Sequence, residues 1–281
     1  MMDEGVQLLD LADHRVGYVD IPGAREKTPL VLLHGGGLDH RMWSPQLRAD
    51  LGRRTIAPDA RGHGASSPAE TPHRLADDVA WLLDALGIDR AILAGVSMGG
   101  GTAVDVALEH PSRVAALVVS GTGTSEPSFT DPWVLETLEA WKEAEAQGDI
   151  DAWIRAFMRF SHGPERTPDD VDRSVWDAVE AMVSDTMSRS LPRDDDGLPA
   201  LPTPPTPVTG TWERLSGITV PVLALAGALD SIDHRRPGRC LADAVPVGQY
   251  TEVADSAHYP NLENPAAFNA AMANMLSHHS L

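Results

Sequence analysis

Ser97 stands in the pentapeptide Gly95-Val96-Ser97-Met98-Gly99, between an apolar run at 91–94 and a stretch at 99–108 that reads as a helix stopped before Pro111. A Gly-x-Ser-x-Gly between strand and helix makes a turn so tight that the serine is held above the sheet edge in a strained backbone conformation. Glycine flanks it because a β-carbon there would collide with the neighbouring strand or helix. The hydroxyl is thereby presented as a nucleophile, and the chemistry it suits is attack on an acyl carbon.

Such a hydroxyl attacks only when a base takes its proton, and the base needs a partner that fixes its tautomer. For this turn the partners follow in the order Ser, Asp or Glu, His. Asp230 comes after the apolar run 222–226 and His258 after the run 250–254, each in a loop at the carboxyl end of a predicted strand. Asp233 is the rival acid, but its greater distance from the strand end suits helix capping or solvent. Asp59 sits at another strand end; Arg61-Gly62-His63-Gly64 beside it reads as a turn, so Asp59 and His63 take structural roles. Two backbone amides must face the developing oxyanion. Met98 supplies one, and Gly36 in His34-Gly35-Gly36-Gly37 the other, because glycine lets the backbone approach a substrate closely. His34 reads as a residue that orders the loop.

These groups need a frame that brings three loops together. Runs at 6–11 and 15–21 predict an antiparallel hairpin around Ala12-Asp13-His14, and 29–33 is a continuous apolar strand covered on both faces. Further strands are expected at 55–58, 91–94, 114–119, 220–226 and 250–253, and helices at 45–51, 71–86 and 264–277. Thr71 and Pro72 suit the start of the second helix, and Asn264-Pro265 that of the last. Alternating strands and helices predict an α/β fold: a mostly parallel eight-stranded sheet with helices on both faces.

Residues 123–216 break the rhythm and read as an inserted helical cap, leaving 1–122 and 217–281 as the core domain. Helices are expected there at 132–146, 150–160 and 168–190, the third starting at Thr167-Pro168-Asp169-Asp170. Asp194-Asp195-Asp196-Gly197 and five prolines within 199–207 form an extended surface return. Four of the chain's seven tryptophans lie on the helices expected in the insertion, and Trp133, Phe157, Met158 and Trp176 are the candidates to line an apolar pocket beneath it. The insertion holds no cluster of Arg or Lys suited to a phosphate or a dicarboxylate. That favours an uncharged, largely apolar, small-to-medium substrate.

The net charge of −19 argues against nucleic acid or an anionic membrane as partner, since both would repel it; a small-molecule substrate is the expected partner, and oligomeric state is open. Cys240 is the only cysteine, which excludes an intrachain disulfide and a cysteine metal site. The first residues lack the basic and apolar regions of a signal peptide, and no apolar run is long enough to span a bilayer, so a cytoplasmic protein is expected. The chemistry calls for no metal and no cofactor.

His34-Gly35, Asp59-Ala60-Arg61-Gly62-His63-Gly64, Gly95-Val96-Ser97-Met98-Gly99-Gly100, Asp230 and Ala257-His258 together resemble the serine-nucleophile branch of the α/β-hydrolase superfamily. The segment from Ala257 to Phe268 is similar to that of the 3-oxoadipate enol-lactonases and the cofactor-free haloperoxidase–esterase group. The resemblance implies Ser97, Asp230 and His258 as a catalytic triad, with Met98 and Gly36 as oxyanion donors and hydrolysis of a carboxylic ester or lactone as the reaction. It also admits carbon–carbon hydrolysis, thioester hydrolysis or cyanohydrin cleavage by the same triad, and a non-hydrolytic small-molecule-binding protein on the same fold.

Overall fold

The computed structural model describes residues 5–11, 13–193 and 200–281; Ala12 of the expected hairpin turn and the acidic run at 194–197 lie outside them. β1 (Val6–Asp10) and β2 (Arg15–Ile21) pair antiparallel. β3 (Leu30–Leu33), β4 (Thr55–Pro58), β5 (Ala91–Val96), β6 (Val114–Ser120), β7 (Val222–Gly227) and β8 (Gly248–Val253) complete one eight-stranded sheet in the order β1-β2-β4-β3-β5-β6-β7-β8. β3 to β8 are mutually parallel, and β2 runs against its neighbours. The chain enters the parallel part at β3, steps outward to β4, then returns to β5 on the other side of β3. Loops leaving β3 and β5 therefore diverge, and open a crevice at the carboxyl ends of these two strands.

Side chains of β5 alternate between two cores: Ile92, Ala94 and Val96 enter one, Ala91 and Leu93 the other. The helices are α1 (Ser44–Arg48), α2 (Leu75–Ala85), α3 (Met98–Glu109), α4 (Pro132–Gln147), α5 (Ile150–His162), α6 (Arg173–Asp185), α7 (Thr211–Arg214), α8 (Ile232–Ala244), α9 (Pro260–Glu263) and α10 (Pro265–His278). α2, α3 and α8 cover the face holding Leu93, while α10, α5 and α6 contribute to the cluster holding Ile92. Full burial of each such side chain contributes about 1.5–3 kcal/mol, so the strands that present the site sit in the most heavily stabilised part of the sheet.

Three local expectations are corrected. The helix expected over 71–86 begins at Leu75, with Arg74 extended at φ −129° and ψ 122°. The carbonyls of Ala69 and His73 accept hydrogen bonds from the Thr203 and Thr206 amides at 2.7 Å, so the proline-rich return lies alongside 69–73 and holds it out of the helix. The helix expected over 168–190 is split: Pro168–Asp170 is one capped 3-10 turn, Val171 is extended, and Asp172 caps a fresh start by accepting from the Ser174 amide. α8 has no counterpart in the sequence reading; Pro237 lies within it, and the helix runs on past that residue although it has no amide hydrogen to donate.

Candidate active site

At the end of β5 the backbone of Ser97 takes φ 55° and ψ −118°, a left-handed conformation rare outside glycine. Its neighbours hold it there: the Ser97 amide donates to the Ser120 carbonyl at 2.8 Å, and the Ser97 carbonyl accepts from the Gly101 amide at 3.0 Å. Space dictates the flanking glycines. A β-carbon at Gly95 would sit 2.1 Å from the Gly99 carbonyl oxygen, and one at Gly99 would sit 2.1 Å from the Leu33 carbonyl oxygen.

The loop after β7 carries Asp230 and the loop after β8 carries His258, and Nδ1 of His258 lies 2.8 Å from Oδ2 of Asp230. Both side chains are buried. Burial alone would raise the Asp230 carboxyl, but the charges and hydrogen bonds of His234 and His258 outweigh it and hold it well below the usual carboxylate range. Burial, with repulsion from His234, pulls His258 below the ordinary histidine value despite the opposing pull of Asp230. Gly121 brings the imidazole to the serine: a β-carbon on it would lie 3.2 Å from Cε1 of His258 and 3.4 Å from the Ser97 nitrogen. Asp233 points elsewhere, its carboxylate accepting from the Thr130 and Asp131 amides at the start of α4. It fastens the start of α4 to α8.

The glycine loop after β3 is pinned from both sides. Nε2 of His34 accepts from the Ala60 amide at 2.8 Å, and the Gly35 amide donates to Sδ of Met42 at 3.1 Å. The Gly37 amide donates to Nε2 of His63 at 3.1 Å, while His63 donates through Nδ1 to the Arg61 carbonyl. Burial, reinforced by nearby His34, lowers His63 to about 4, so it is a neutral acceptor at working pH. Between these two engaged amides the Gly36 amide donates to no group among the described residues. The Met98 amide, first in α3, has no intrahelical acceptor. Asp59 accepts from the His40 amide, the His40 ring and the Ala65 amide, which knits the neighbouring loop together.

Ser97, Met98, Gly36, His258 and His234 open onto one cavity of about 500 Å³ that α4 and α5 also line. Phe157 lines it with Leu138, Trp141 and Phe160. Trp133, Met158 and Trp176 do not. Trp133 packs edge-on against Phe160 and His162, Trp176 stacks on His162, and Met158 is turned into the hydrophobic core. A second chamber of about 700 Å³ shares Gly36, Met98, Trp141 and Pro205 with the first.

Among the described residues, two groups of side chains gather ligand-type atoms within 4.8 Å of one another: Asp230 with His234 and His258, and Asp39 with His40 and Asp59. In the first, both Nδ1 atoms are committed to the carboxylate; in the second, Arg41 clamps Asp39 and His40 bonds Asp59. These donor sets suit proton transfer and loop pinning better than an ion.

His234 and Glu263 are absent from the sequence reading. Nδ1 of His234 lies 2.9 Å from Oδ1 of Asp230, four residues earlier, a spacing that is visible only once α8 is recognised. Glu263 accepts from the Ala257 amide at 2.7 Å and pairs with Arg166 at 2.7 Å, so it ties the His258 loop to the end of α5. No helix among the described residues is long and apolar enough to cross a membrane.

The sequence matches the model of the alpha/beta hydrolase fold family over residues 28–265. It is 29% identical over 259 residues to 3-oxoadipate enol-lactonase 1 of Acinetobacter baylyi, an alignment covering 89% of each protein. Among solved structures, the enol-lactonase of Burkholderia xenovorans is similar with a TM-score of 0.73 at 27% identity, over 96% of this chain and 100% of that one. An esterase from a Rhodococcus species is similar with a TM-score of 0.71 at 27% identity, over 97% and 98% of the two chains. With a parallel sheet wound about β3, a strained serine at the end of β5 and a family match that spans most of its length, the chain belongs to the α/β-hydrolase fold family.

Proposed function

We propose that the chain is a serine hydrolase that cleaves a carboxylic ester or lactone through an acyl-enzyme on Ser97. The observation that carries this reading is the 2.8 Å pairing of His258 with Asp230 at a cavity that also exposes Ser97. With Nδ1 donating to Asp230, Nε2 of His258 is the free basic nitrogen. It takes the proton of Ser97 as Oγ attacks the carbonyl carbon, and Asp230 stabilises the imidazolium formed. The amides of Gly36 and Met98 hold the oxyanion. As the intermediate collapses, the alcohol oxygen leaves with the proton from His258. Water then attacks the acyl-enzyme, giving its proton to the same nitrogen, and the acid departs as Ser97 recovers its hydrogen.

Residues 123–216 act as a cap that excludes water from this step. Their aromatic and aliphatic lining suits a small-to-medium, largely apolar substrate without an anionic group. The chemistry needs no metal or cofactor, because serine, histidine and the two amides supply every role. A cytoplasmic setting accords with a single free cysteine.

Hydrolysis of p-nitrophenyl esters from acetate to palmitate tests the reading, wild type beside Ser97→Ala. We expect turnover that falls by roughly four orders of magnitude or more in the variant. Turnover that survives the substitution would overturn the serine mechanism. No turnover of any ester would direct attention to thioesters, β-diketones and cyanohydrins, or to a binding protein.

A further inference from the structure

We propose that the cavity beside Ser97 ends in a cation subsite built on Asp105, and that the substrate arm filling it carries an ammonium group. The proposal names the substrate class of the hydrolase site above and rests on that reading. Met98, Gly101, Thr102 and Asp105 follow one another at helical spacing along a single stripe of α3, and all four line the cavity. The stripe carries the cavity from the elbow to Asp105, which lies about 12 Å along the helix axis from Ser97 at the usual rise per residue.

Asp105 interrupts an otherwise apolar run, Ala103-Val104-Asp105-Val106-Ala107-Leu108, and is only 7% exposed. Its Oδ1 accepts from the Ser125 hydroxyl at 2.7 Å, and its Oδ2 accepts no hydrogen bond among the described residues. A carboxylate buried with so little compensation is destabilising unless something else satisfies it. Arg74 lines the same cavity and acts on Asp105 through its charge, but it is committed to Glu109 at 2.9 Å and Asp77 at 3.5 Å. Burial pushes the Asp105 carboxyl up to about 6, with Glu109 and Glu126 adding repulsion against the Ser125 bond and Arg74. Of the two oxygens that Asp105 brings to this end of the cavity, one has a donor among the described residues. An ammonium brings three donors and a positive charge, whereas a methyl terminus would leave Oδ2 stranded. The sequence of residues 123–216 favours an uncharged substrate, and Asp105 changes that expectation to a substrate with one cationic arm.

Calorimetric titration of n-alkylammonium chlorides from butyl to octyl, against n-alkanols of equal length, tests the subsite on wild type, Ser97→Ala and Asp105→Asn. We expect wild type and Ser97→Ala to bind the ammonium at least about tenfold more tightly than the alcohol at the best chain length, the scale of one charge-assisted hydrogen bond. In Asp105→Asn, which keeps an acceptor for Ser125, that preference should fall to about unity. In wild type it should also fade as the pH drops through about 6. Equal binding of alcohol and ammonium by wild type overturns the proposal. So does a preference that survives Asp105→Asn, as one arising from the overall charge of −19 would. p-Nitrophenyl butyrate hydrolysis by the same samples reports separately on the serine mechanism: hydrolysis without a preference sinks only the subsite, and a preference without hydrolysis sinks only the hydrolase.

Discussion

His234 and His258 grip opposite oxygens of the Asp230 carboxylate, with Nδ1–oxygen distances of 2.9 and 2.8 Å and ring centroids 4.2 Å apart. One buried anion thus serves two imidazoles, and the second competes for the charge that supports the first. The acid limb of the activity profile should lie below 6.5, because burial and His234 both lower His258. Replacing His234 with Gln removes that repulsion and leaves Asp230 to His258 alone, so the limb should move to higher pH. A kcat/KM profile of the two proteins checks this; an unmoved or lowered limb would show that His234 is electrically silent.

Asp230 and Asp233 are three residues apart and do different things. Asp230→Asn should lower kcat by roughly 10³–10⁴-fold, since the amide cannot hold the His258 tautomer or its charge. Asp233→Ala should cost about 1–3 kcal/mol of stability, because two amides at the start of α4 lose a charged acceptor. KM in that variant should rise more than kcat falls. Denaturant melts and steady-state kinetics on both variants separate the roles.

The strain at Ser97 is measurable without substrate. Its φ of 55° disfavours any β-carbon, so Ser97→Gly should be more stable than Ser97→Ala by about 1 kcal/mol, with both inactive. Equal unfolding midpoints would mean that the surrounding hydrogen bonds, and not backbone torsion, dominate there.

His63 makes the glycine loop after β3 sensitive to acid. Its folded value of about 4 lies below the ordinary 6.5, so between these the unfolded chain binds the extra proton. The stability it contributes is complete above 6.5 and is lost as pH falls toward 4. His63→Gln keeps an acceptor for the Gly37 amide and cannot be protonated in that range. Its melting temperature should therefore fall less steeply than that of wild type across the same window, as read by scanning calorimetry.

The central strands were legible because each is apolar on both faces and bounded by turn residues, so burial alone specifies Leu30–Leu33 and Ala91–Val96. The positions of Ser97, Asp230 and His258 followed from strand ends. What escaped depends on partners distant in sequence. Residues 71–74 carry good helix-start signals, yet the Thr203 and Thr206 amides claim the carbonyls of Ala69 and His73. Pro237 hid α8, and with it the spacing that joins His234 to Asp230. The cavity lining turned on a rotation no local pattern sets: α5 aims Phe157 and Phe160 at the cavity and Met158 into the core.

The proline-rich return meets residues 69–73 through two threonine amides, and Pro205 between those pins forms wall in both chambers. Prolines donate nothing to a ladder, so this wall is attached at two points and takes no part in the sheet. The length between Thr203 and Thr206 is therefore a dial on chamber size that can be turned without moving Ser97, His258 or any strand, and it offers designers a substrate range adjustable from one short surface splice.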